Sequence, residues 1–324
     1  MKHLSPLCVS LIAAFALCAE LPLSSEVSAP NTIRLGTLKG PSGIGMIYLF
    51  EAPPALPGGK RLESVAVASA DLMVPKLVSG EYDMAVLPIN MAAKLRASGL
   101  PIQLAAIVGE GMVSFITSDA SVSSLADLRG KEVYVAGQGA TPDYLVQKLL
   151  KSAGLDPAKD LRLSYSMPYP EMAAALASGK IAYAVLPEPF ATVALKANPK
   201  LLTPLDLGSL WTAATGQKSY PMTALVVTNR AAADPEAVRA VLAAVQSSIE
   251  RVKADPAAAG ALVEKHDFGL KAPIASRAIP RSAYVYRDAP AARGSVEALL
   301  SVFLGLAPAS VGGKLPDDGF YAAF

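Results

Sequence analysis

Cysteine and histidine are almost absent from this sequence of 324 residues, which contains two of each. Both cysteines, Cys8 and Cys18, lie close to the N-terminus, and His266 is the only histidine after His3. The rest of the chain therefore has no disulfide, no cysteine nucleophile and no thiolate metal site, and one histidine cannot build a histidine-rich zinc site. We expect neither a metal nor a cofactor, and most hydrolytic and metal-dependent chemistry is disfavoured.

Charge is sparse and balanced. Charged residues make up 17% of the chain, with 29 basic and 27 acidic residues. No block of like charge stands out, so the sequence shows no footprint for nucleic acid or for an anionic membrane surface. Hydrophobic residues make up 52% of the chain, enough for one large core or two modest ones, and the length favours about two domains.

The longest apolar run stands at the N-terminus. Residues 4–17 are nearly all apolar or small and follow a short basic start. This run is too short to cross a bilayer comfortably, so we predict a secretory signal peptide over residues 1–19 and a tether over 20–31. A retained anchor helix is less favoured. So is a lipoprotein acylated at Cys18, because Leu17 stands where such leaders have Gly, Ala or Ser. Export predicts a periplasmic or other extracytoplasmic location.

From Thr32 onward the pattern alternates between short strands and helices, which is typical of an α/β fold with largely parallel sheets. The predicted strands include residues 32–37, 62–68, 84–87 and 102–108, and the predicted helices include residues 70–78 and 142–153. After a strand at 223–228 the chain becomes helical. Asp-Pro pairs predict the starts of helices Pro235–Ala254 and Pro256–Lys265, with Asp as N-cap and Pro at the first helical position.

The chain contains an internal repeat. Residues 77–92 and 176–191 share half of their positions at a constant offset, including Ser-Gly and Ala-Val-Leu-Pro. The same offset superposes Gly40 on Gly139. Each half thus carries strand–Gly-x-Ser/Thr–helix, then helix–Ser-Gly–strand–Pro. In open α/β sheets ligands bind beyond the carboxyl ends of the strands, so two facing lobes of this kind predict a cleft that closes by a hinge motion.

The loops at these strand ends supply the candidate ligand-binding residues. The first is the loop of residues 39–43, and its counterpart holds Thr141 as the expected N-cap of the helix that starts at Pro142. Asn90 and Glu188 follow the two Ala-Val-Leu-Pro strands, and Glu188 has a hinge salt bridge as its alternative role. The predicted ligand-binding set is Lys39, Gly40, Pro41, Ser42, Gly43, Ser69, Asn90, Gln138, Gly139, Thr141, Tyr165 and Glu188.

The order and spacing of several segments resemble the solute-binding proteins of NitT/TauT-type ABC importers, a family that serves nitrate, taurine, alkanesulfonates and thiamine-pyrimidine precursors. The resembling segments are residues 79–83 (SGEYD), 124–133 (SLADLRGKEV), 175–180 (ALASGK), 186–189 (LPEP) and 312–316 (GGKLP). The Gly-Pro-Ser-Gly loop at residues 40–43 is similar to a poorly characterised subgroup.

This resemblance implies a type II periplasmic-binding-protein fold with two α/β lobes and a ligand cleft between them. We place the first lobe at residues 32–115 and 225–324, the second at 116–224, and the crossovers near 112–119 and 220–228. The implied protein is a monomer that captures a small molecule and delivers it to an ABC permease and its ATPase.

Two alternative functions remain open, a sensory binding protein that docks to a receptor and a pyrimidine-precursor synthase-like enzyme on the same fold. The enzyme is disfavoured by the predicted leader and by the lack of cysteine and histidine near the cleft. Two opposed helix N-termini slightly favour an organic anion as the ligand, whereas Glu188 and Tyr165 favour a heteroaromatic amine.

Overall fold

The computed structural model describes residues 31–135 and 137–324, so the predicted leader lies outside the described residues. The strands are β1 Thr32–Leu38, β2 Arg61–Val67, β3 Met84–Pro88, β4 Ile102–Glu110, β5 Val113–Thr117, β6 Glu132–Val135, β7 Arg162–Ser164, β8 Tyr183–Pro187, β9 Pro221–Thr228 and β10 Tyr284–Asp288. The helices are α1 Pro41–Ile44, α2 Ile47–Glu51, α3 Ala70–Val78, α4 Ile89–Ala97, α5 Thr141–Ser152, α6 Tyr169–Ala177, α7 Phe190–Ala197, α8 Leu207–Thr215, α9 Asn229–Ala232, α10 Pro235–Ala254, α11 Pro256–Lys265, α12 Ala272–Ala278 and α13 Ala289–Leu306.

The strands form two separate sheets, which confirms the predicted α/β class. The first sheet has the order β10-β4-β9-β3-β1-β2, and the second has the order β5-β8-β6-β7. In each sheet three parallel strands are followed by one antiparallel strand that arrives from the other lobe, namely β9 beside β3 and β5 beside β8. The two lobes therefore exchange one strand-bearing segment each, as the type II arrangement requires.

The chain crosses between the sheets earlier than the sequence indicated. Val113–Thr117 pairs with β8 in the second sheet, so the first crossover is the Gly111–Met112 segment between β4 and β5. Pro221–Thr228 pairs with β3 and β4 in the first sheet, so the second crossover lies between α8 and β9. The first predicted crossover fell on β5, which the sequence did not indicate as a strand. The second overlapped β9, whose strand at 223–228 was predicted but whose place in the first sheet depends on pairing with distant strands.

The internal repeat is visible in the structure at the offset found in the sequence. Helices α3 and α6 have matching bounds under that offset, and so do strands β3 and β8. Pro88 and Pro187 are the last residues of their strands, as predicted, because proline has no N–H for the ladder. The repeat therefore reflects two lobes built from the same strand and helix units.

Local helix signals were accurate where an aspartate precedes a proline. Helices α10 and α11 have the predicted bounds, and the side chains of Asp234 and Asp255 accept hydrogen bonds from backbone N–H groups in the first turn. Helices α10, α11 and α12 pack beside the first sheet in a core that includes Ile249, Val263 and Ala275. These three helices therefore share a core with the first sheet.

Helix α13 begins at Ala289, with Asp288 accepting a hydrogen bond from Ala291 N–H. By length and hydropathy it is the one helix of the described residues that could cross a membrane. Its buried residues pack against β4, α4 and α5.

The contact between α11 and α12 depends on Gly260. A Cβ atom there would lie 2.2 Å from Ser276 Oγ and 2.8 Å from the carbonyl oxygen of Ala272, so Gly260→Ala would force the two helices apart. We expect a net loss of about 1 kcal/mol in the free energy of unfolding, because overpacking outweighs the gain in helix propensity. Urea denaturation measures it. Gly294→Ala is the matched control, since open space surrounds Gly294 in α13 and that substitution should stabilise; equal effects of the two changes would contradict the packing account.

Candidate functional site

The carboxyl ends of the strands in the two sheets adjoin each other. Strand β4 is parallel to β3 and ends at that edge of the first sheet. After two intervening residues, β5 starts beside the carboxyl end of β8. The backbone N–H of Glu188 donates to the carbonyl of Met112 in the crossover, at 2.9 Å. A short crossover thus holds the two carboxyl edges together, which is the position where open α/β sheets bind ligands.

The first-lobe loop has a backbone that only glycine allows. Gly40 has φ 109° and ψ −153°, a region that residues with a Cβ atom avoid, and Pro41 opens α1 directly after it. Gly43 is buried: a Cβ atom there would lie 2.3 Å from the Leu38 carbonyl oxygen and 2.7 Å from the Phe268 ring. These two glycines therefore determine the backbone path of the loop. Replacing Gly40 with alanine would strain the backbone, and replacing Gly43 with alanine would create close contacts.

Three further predicted residues of the first lobe lie on its surface or rim. Lys39 is exposed and forms an ion pair with Asp267, with 3.0 Å between Nζ and Oδ2. Ser42 is the second residue of α1 and therefore does not cap it; the N-cap is Gly40. Ser69 is the N-cap of α3, but its side chain makes no capping hydrogen bond. Ser42 and Ser69 stay predicted ligand contacts.

Two buried polar atoms at this edge have no hydrogen-bond partner among the described residues. They are Oδ1 of Asn90, in the first turn of α4 after β3, and Oγ1 of Thr37, near the end of the neighbouring β1. Thr37 is 0% exposed. Buried polar groups are nearly always paired, so two unpaired atoms on adjacent strand ends indicate hydrogen-bonding capacity for a ligand. Asn90 was predicted from sequence; Thr37 was missed, although a threonine near the end of an apolar strand is a signal.

The second-lobe loop differs from its prediction by one residue. Helix α5 starts at Thr141, so Ala140 is the N-cap and Pro142 is the second helical residue. Thr141 is buried, whereas Gln138 is exposed. The predicted N-cap role of Thr141 is wrong because the loop is held by a different side chain, that of Asp143. Thr141 and Gln138 stay predicted ligand contacts.

Asp143 is a buried residue beside the second-lobe loop that the sequence analysis overlooked. It is 3% exposed and accepts three hydrogen bonds, from Gly139 N–H at 2.8 Å, Gln147 Nε2 at 2.7 Å and the Tyr165 hydroxyl at 2.6 Å. Burial, followed by the hydrogen bond to Asp143, raises the pKa of Tyr165 above its usual value. Two predicted site residues, Gly139 and Tyr165, are thus joined through one buried carboxylate. An acid at the third helical position that can reach back to the preceding loop is the signal that could have found it.

Glu188 directly follows β8 and links the two sheets through its side chain. Its side chain is 1% exposed, and its Oε1 accepts a hydrogen bond from Arg281 Nε at 2.6 Å. Its Oε2 accepts from the backbone N–H of Thr192 at 3.1 Å. Arg281 lies between α12 and β10 in the first lobe, and Glu188 follows β8 in the second. The sequence analysis gave Glu188 two possible roles, a ligand contact and a salt bridge at the hinge. The structure contains a salt bridge, between Glu188 and Arg281.

The described residues contain no group of three or more His, Cys, Asp or Glu side chains placed to hold a metal ion. His266 is the C-cap of α11, and its Nε2 lies 2.8 Å from Glu51 Oε2. The arrangement at the cleft offers hydrogen bonds, two strand edges and a hinge. These features suit reversible capture of a small molecule.

Comparison with known proteins places the chain in a family. The model of the NMT1-like family matches residues 49–265, more than half of the chain. The protein belongs to the NMT1-like family. A search of the curated proteins finds no match for it.

Solved structures show that this NMT1-like protein has the fold of ABC-importer binding proteins. An ABC transporter protein from Parabacteroides distasonis has a TM-score of 0.79 and 28% identity, covering 90% of this chain and 99% of the other. The periplasmic aliphatic sulphonate binding protein SsuA from Escherichia coli has a TM-score of 0.69 and 18% identity, covering 89% and 93%. The periplasmic nitrate-binding protein NrtA from Synechocystis PCC 6803 has a TM-score of 0.54 and 19% identity, covering 75% and 68%. These matches confirm the resemblance to NitT/TauT-type solute-binding proteins.

Proposed function

We propose that this protein is the substrate-binding component of an ABC importer, and that it captures a small organic molecule outside the cytoplasmic membrane. The observation that carries the proposal is the pair of adjoining carboxyl edges, one of which presents the unpaired Thr37 Oγ1 and Asn90 Oδ1. Structural neighbours that are binding proteins of importers support it. In this role the protein is a binding protein and not an enzyme, and its partners are a permease and an ATPase.

Closure of the lobes would bring the two edges onto the ligand. The first lobe contributes the loop of residues 39–43 together with Thr37 and Asn90, and the second contributes residues 137–141. The short crossover at Gly111–Met112 allows rotation of one sheet against the other without unfolding either. The ligand would contact both lobes, so binding stabilises the closed form by its differential affinity.

Thermal unfolding against a panel of small molecules tests the binding role. A ligand that binds only the folded protein adds about 2.7 kcal/mol to its stability at 100-fold excess over Kd, so we expect the midpoint to rise with one chemical class. Thr37→Val and Thr141→Val should reduce that rise by weakening binding about tenfold each, which is the cost of one lost hydrogen bond. Ser310→Ala is the matched control, since its buried hydroxyl is also unpaired but lies in the C-terminal segment that packs on α4 and α13.

The transport role is tested separately from binding. Deletion of the gene should abolish uptake of the radiolabelled compound that the panel identifies, and restoring the gene should restore uptake. A compound that binds while its uptake is unchanged by the deletion would contradict an importer and favour a sensory binding protein. A panel in which no compound of any class shifts the midpoint would contradict the binding role itself.

A further inference from the structure

Two of the segments predicted to contact the ligand leave the second sheet at neighbouring strand ends. The loop of residues 137–140 follows β6, and Tyr165 directly follows β7, which is parallel to β6. Both segments therefore lie at the carboxyl edge of the second sheet, where open α/β sheets bind ligands. Their position relative to each other decides whether one small molecule can contact both.

The loop of residues 137–140 has little restraint of its own. Gly137 and Gly139 have φ values of 73° and 75°, and glycine samples many other backbone conformations as readily. One backbone hydrogen bond closes a turn inside the loop, from Ala140 N–H to the Gly137 carbonyl at 3.0 Å. Among the described residues, only the side chain of Asp143 bonds to the backbone of this loop. The loop therefore depends on Asp143 for its conformation.

Asp143 connects this loop to Tyr165 through its two carboxylate oxygens. Oδ2 accepts from Gly139 N–H at 2.8 Å, and Oδ1 accepts from the Tyr165 hydroxyl at 2.6 Å. Oδ1 also accepts from Gln147 Nε2 at 2.7 Å, one turn further along α5. The side chain is buried, so water does not compete for these bonds, and bonds to an ionised acceptor are stronger than neutral ones. Both oxygens are engaged inside the lobe, so Asp143 acts on a ligand through the two segments that it joins.

We propose that Asp143 is a positioning residue for ligand binding, which holds the loop of residues 137–140 and Tyr165 in one arrangement before a small molecule arrives. A preorganised site binds more tightly, because its loops are ordered during folding and not at the moment of binding. The inference rests on the proposed binding function. It assigns no charge or chemical class to the ligand, since Asp143 acts in the same way for any compound that contacts both segments.

Hydrogen exchange of the ligand-free protein tests the anchoring directly. Asp143→Ala removes both carboxylate oxygens, so we expect amide exchange in residues 137–141 to become about tenfold faster, as for one lost hydrogen bond. Asp206→Ala is the control, because Asp206 caps α8 by accepting from Gly208 and Ser209 N–H, and it should leave that exchange unchanged. Unchanged exchange in Asp143→Ala would overturn the anchoring role.

Titration calorimetry tests the effect on binding, with nitrate, taurine, ethanesulfonate, benzoate, benzamide and cytosine as probes. For each probe that binds the unaltered protein, Asp143→Ala should weaken binding about tenfold, and Asp206→Ala should not change it. Asp143→Asn should weaken binding only about threefold, whatever the charge of the probe. The asparagine Oδ1 can accept from Gly139 N–H, while its Nδ2 donates to the Tyr165 hydroxyl and to Gln147 Oε1. Opposite shifts for anionic and uncharged probes in Asp143→Asn would overturn the positioning role and indicate a direct contact.

A double-variant cycle tests whether Tyr165 acts through Asp143. Tyr165→Phe removes the hydroxyl and keeps the ring, so we expect about threefold weaker binding of the same probe, and little further loss in the Asp143→Ala background. Additive losses would show that the two side chains act separately. If probes bind and Asp143→Ala retains full affinity, only the inference fails. If no probe binds the unaltered protein, the proposed binding function fails and this inference fails with it.

Discussion

Arg281→Met is expected to lower the free energy of unfolding by about 2 kcal/mol, because it strands a buried carboxylate. Glu188 is 1% exposed, and without Arg281 only the Thr192 N–H, at 3.1 Å, would still stabilise its charge. Removal of one partner from a buried ion pair costs about 3–5 kcal/mol, and the partial exposure of Arg281 reduces that figure. Urea denaturation with a common m-value measures the loss.

Arg277→Met is the matched control for this prediction, since Arg277 is an exposed arginine one helical turn earlier, in α12. We expect it to change stability by less than about 0.5 kcal/mol. The double variant Glu188→Gln/Arg281→Met should recover part of the loss, because it leaves no buried charge. A double variant as unstable as the sum of the two single variants would show that the pair is not coupled.

The same ion pair also links stability to lobe movement. Arg281 belongs to the first lobe and Glu188 to the second, and the Glu188 N–H is bonded to the crossover at Met112. We expect Arg281→Met to widen the distribution of lobe angles in small-angle X-ray scattering of the ligand-free protein. Glu188 would then affect ligand binding mainly through the hinge, even though its sequence position, directly after a repeat strand, matches that of Ile89, the neighbour of Asn90.

The fold was largely predictable because its signals are local or repeated. Asp-Pro pairs give the starts of α10 and α11, and the repeat of Ser-Gly and Ala-Val-Leu-Pro units gives two lobes with equivalent strands β3 and β8. The Asp-Pro signal depends on neighbouring residues, and the repeat is found by aligning the chain with itself, so sequence alone specifies both. The type II arrangement came from the family resemblance, and the sheet orders confirm it.

The crossovers and part of the site could not be predicted for the opposite reason. Strand β5 is defined by its pairing with β8, which lies far along the chain, and β10 is defined by its pairing with β4. Arg281 meets Glu188 only after the C-terminal segment returns to the first lobe. Asp143 follows a local sequence pattern, because acidic residues are common in the first turn of a helix. Its burial and its three hydrogen-bond donors, however, depend on the tertiary structure.

Ligand preference shows the same limit of local inference. Helix starts after strands suggested two sites for an anion. The structure does contain helices α1 and α5 directly after strands of the two sheets. Whether a helix start attracts an anion depends on its length and on the charges in its first turn. Helix α1 is too short, and α5 has its own carboxylate.

Gly43→Ala is expected to have the largest effect on the loop of residues 39–43, the proposed ligand-binding loop of the first lobe. The added methyl group would lie 2.3 Å from the backbone oxygen of Leu38 and 2.7 Å from the ring of Phe268. The Leu38 carbonyl cannot rotate away without disturbing the end of β1, and Phe268 is buried against Phe50 in an edge-to-face contact. The loop itself must therefore move. We expect a loss of about 2–3 kcal/mol in the free energy of unfolding, as for overpacked cores.

The displaced loop should also bind ligand poorly, by about tenfold or more, because the side chain of Thr37 lies 3.0 Å from the same added atom. Gly305→Ala is the control, since no atom lies near Gly305 in α13, and it should leave both stability and binding unchanged or slightly improved. Calorimetric titration and urea denaturation on the two variants separate the effects. If Gly43→Ala lost stability but kept full affinity, the loop of residues 39–43 would support the first lobe without contacting the ligand.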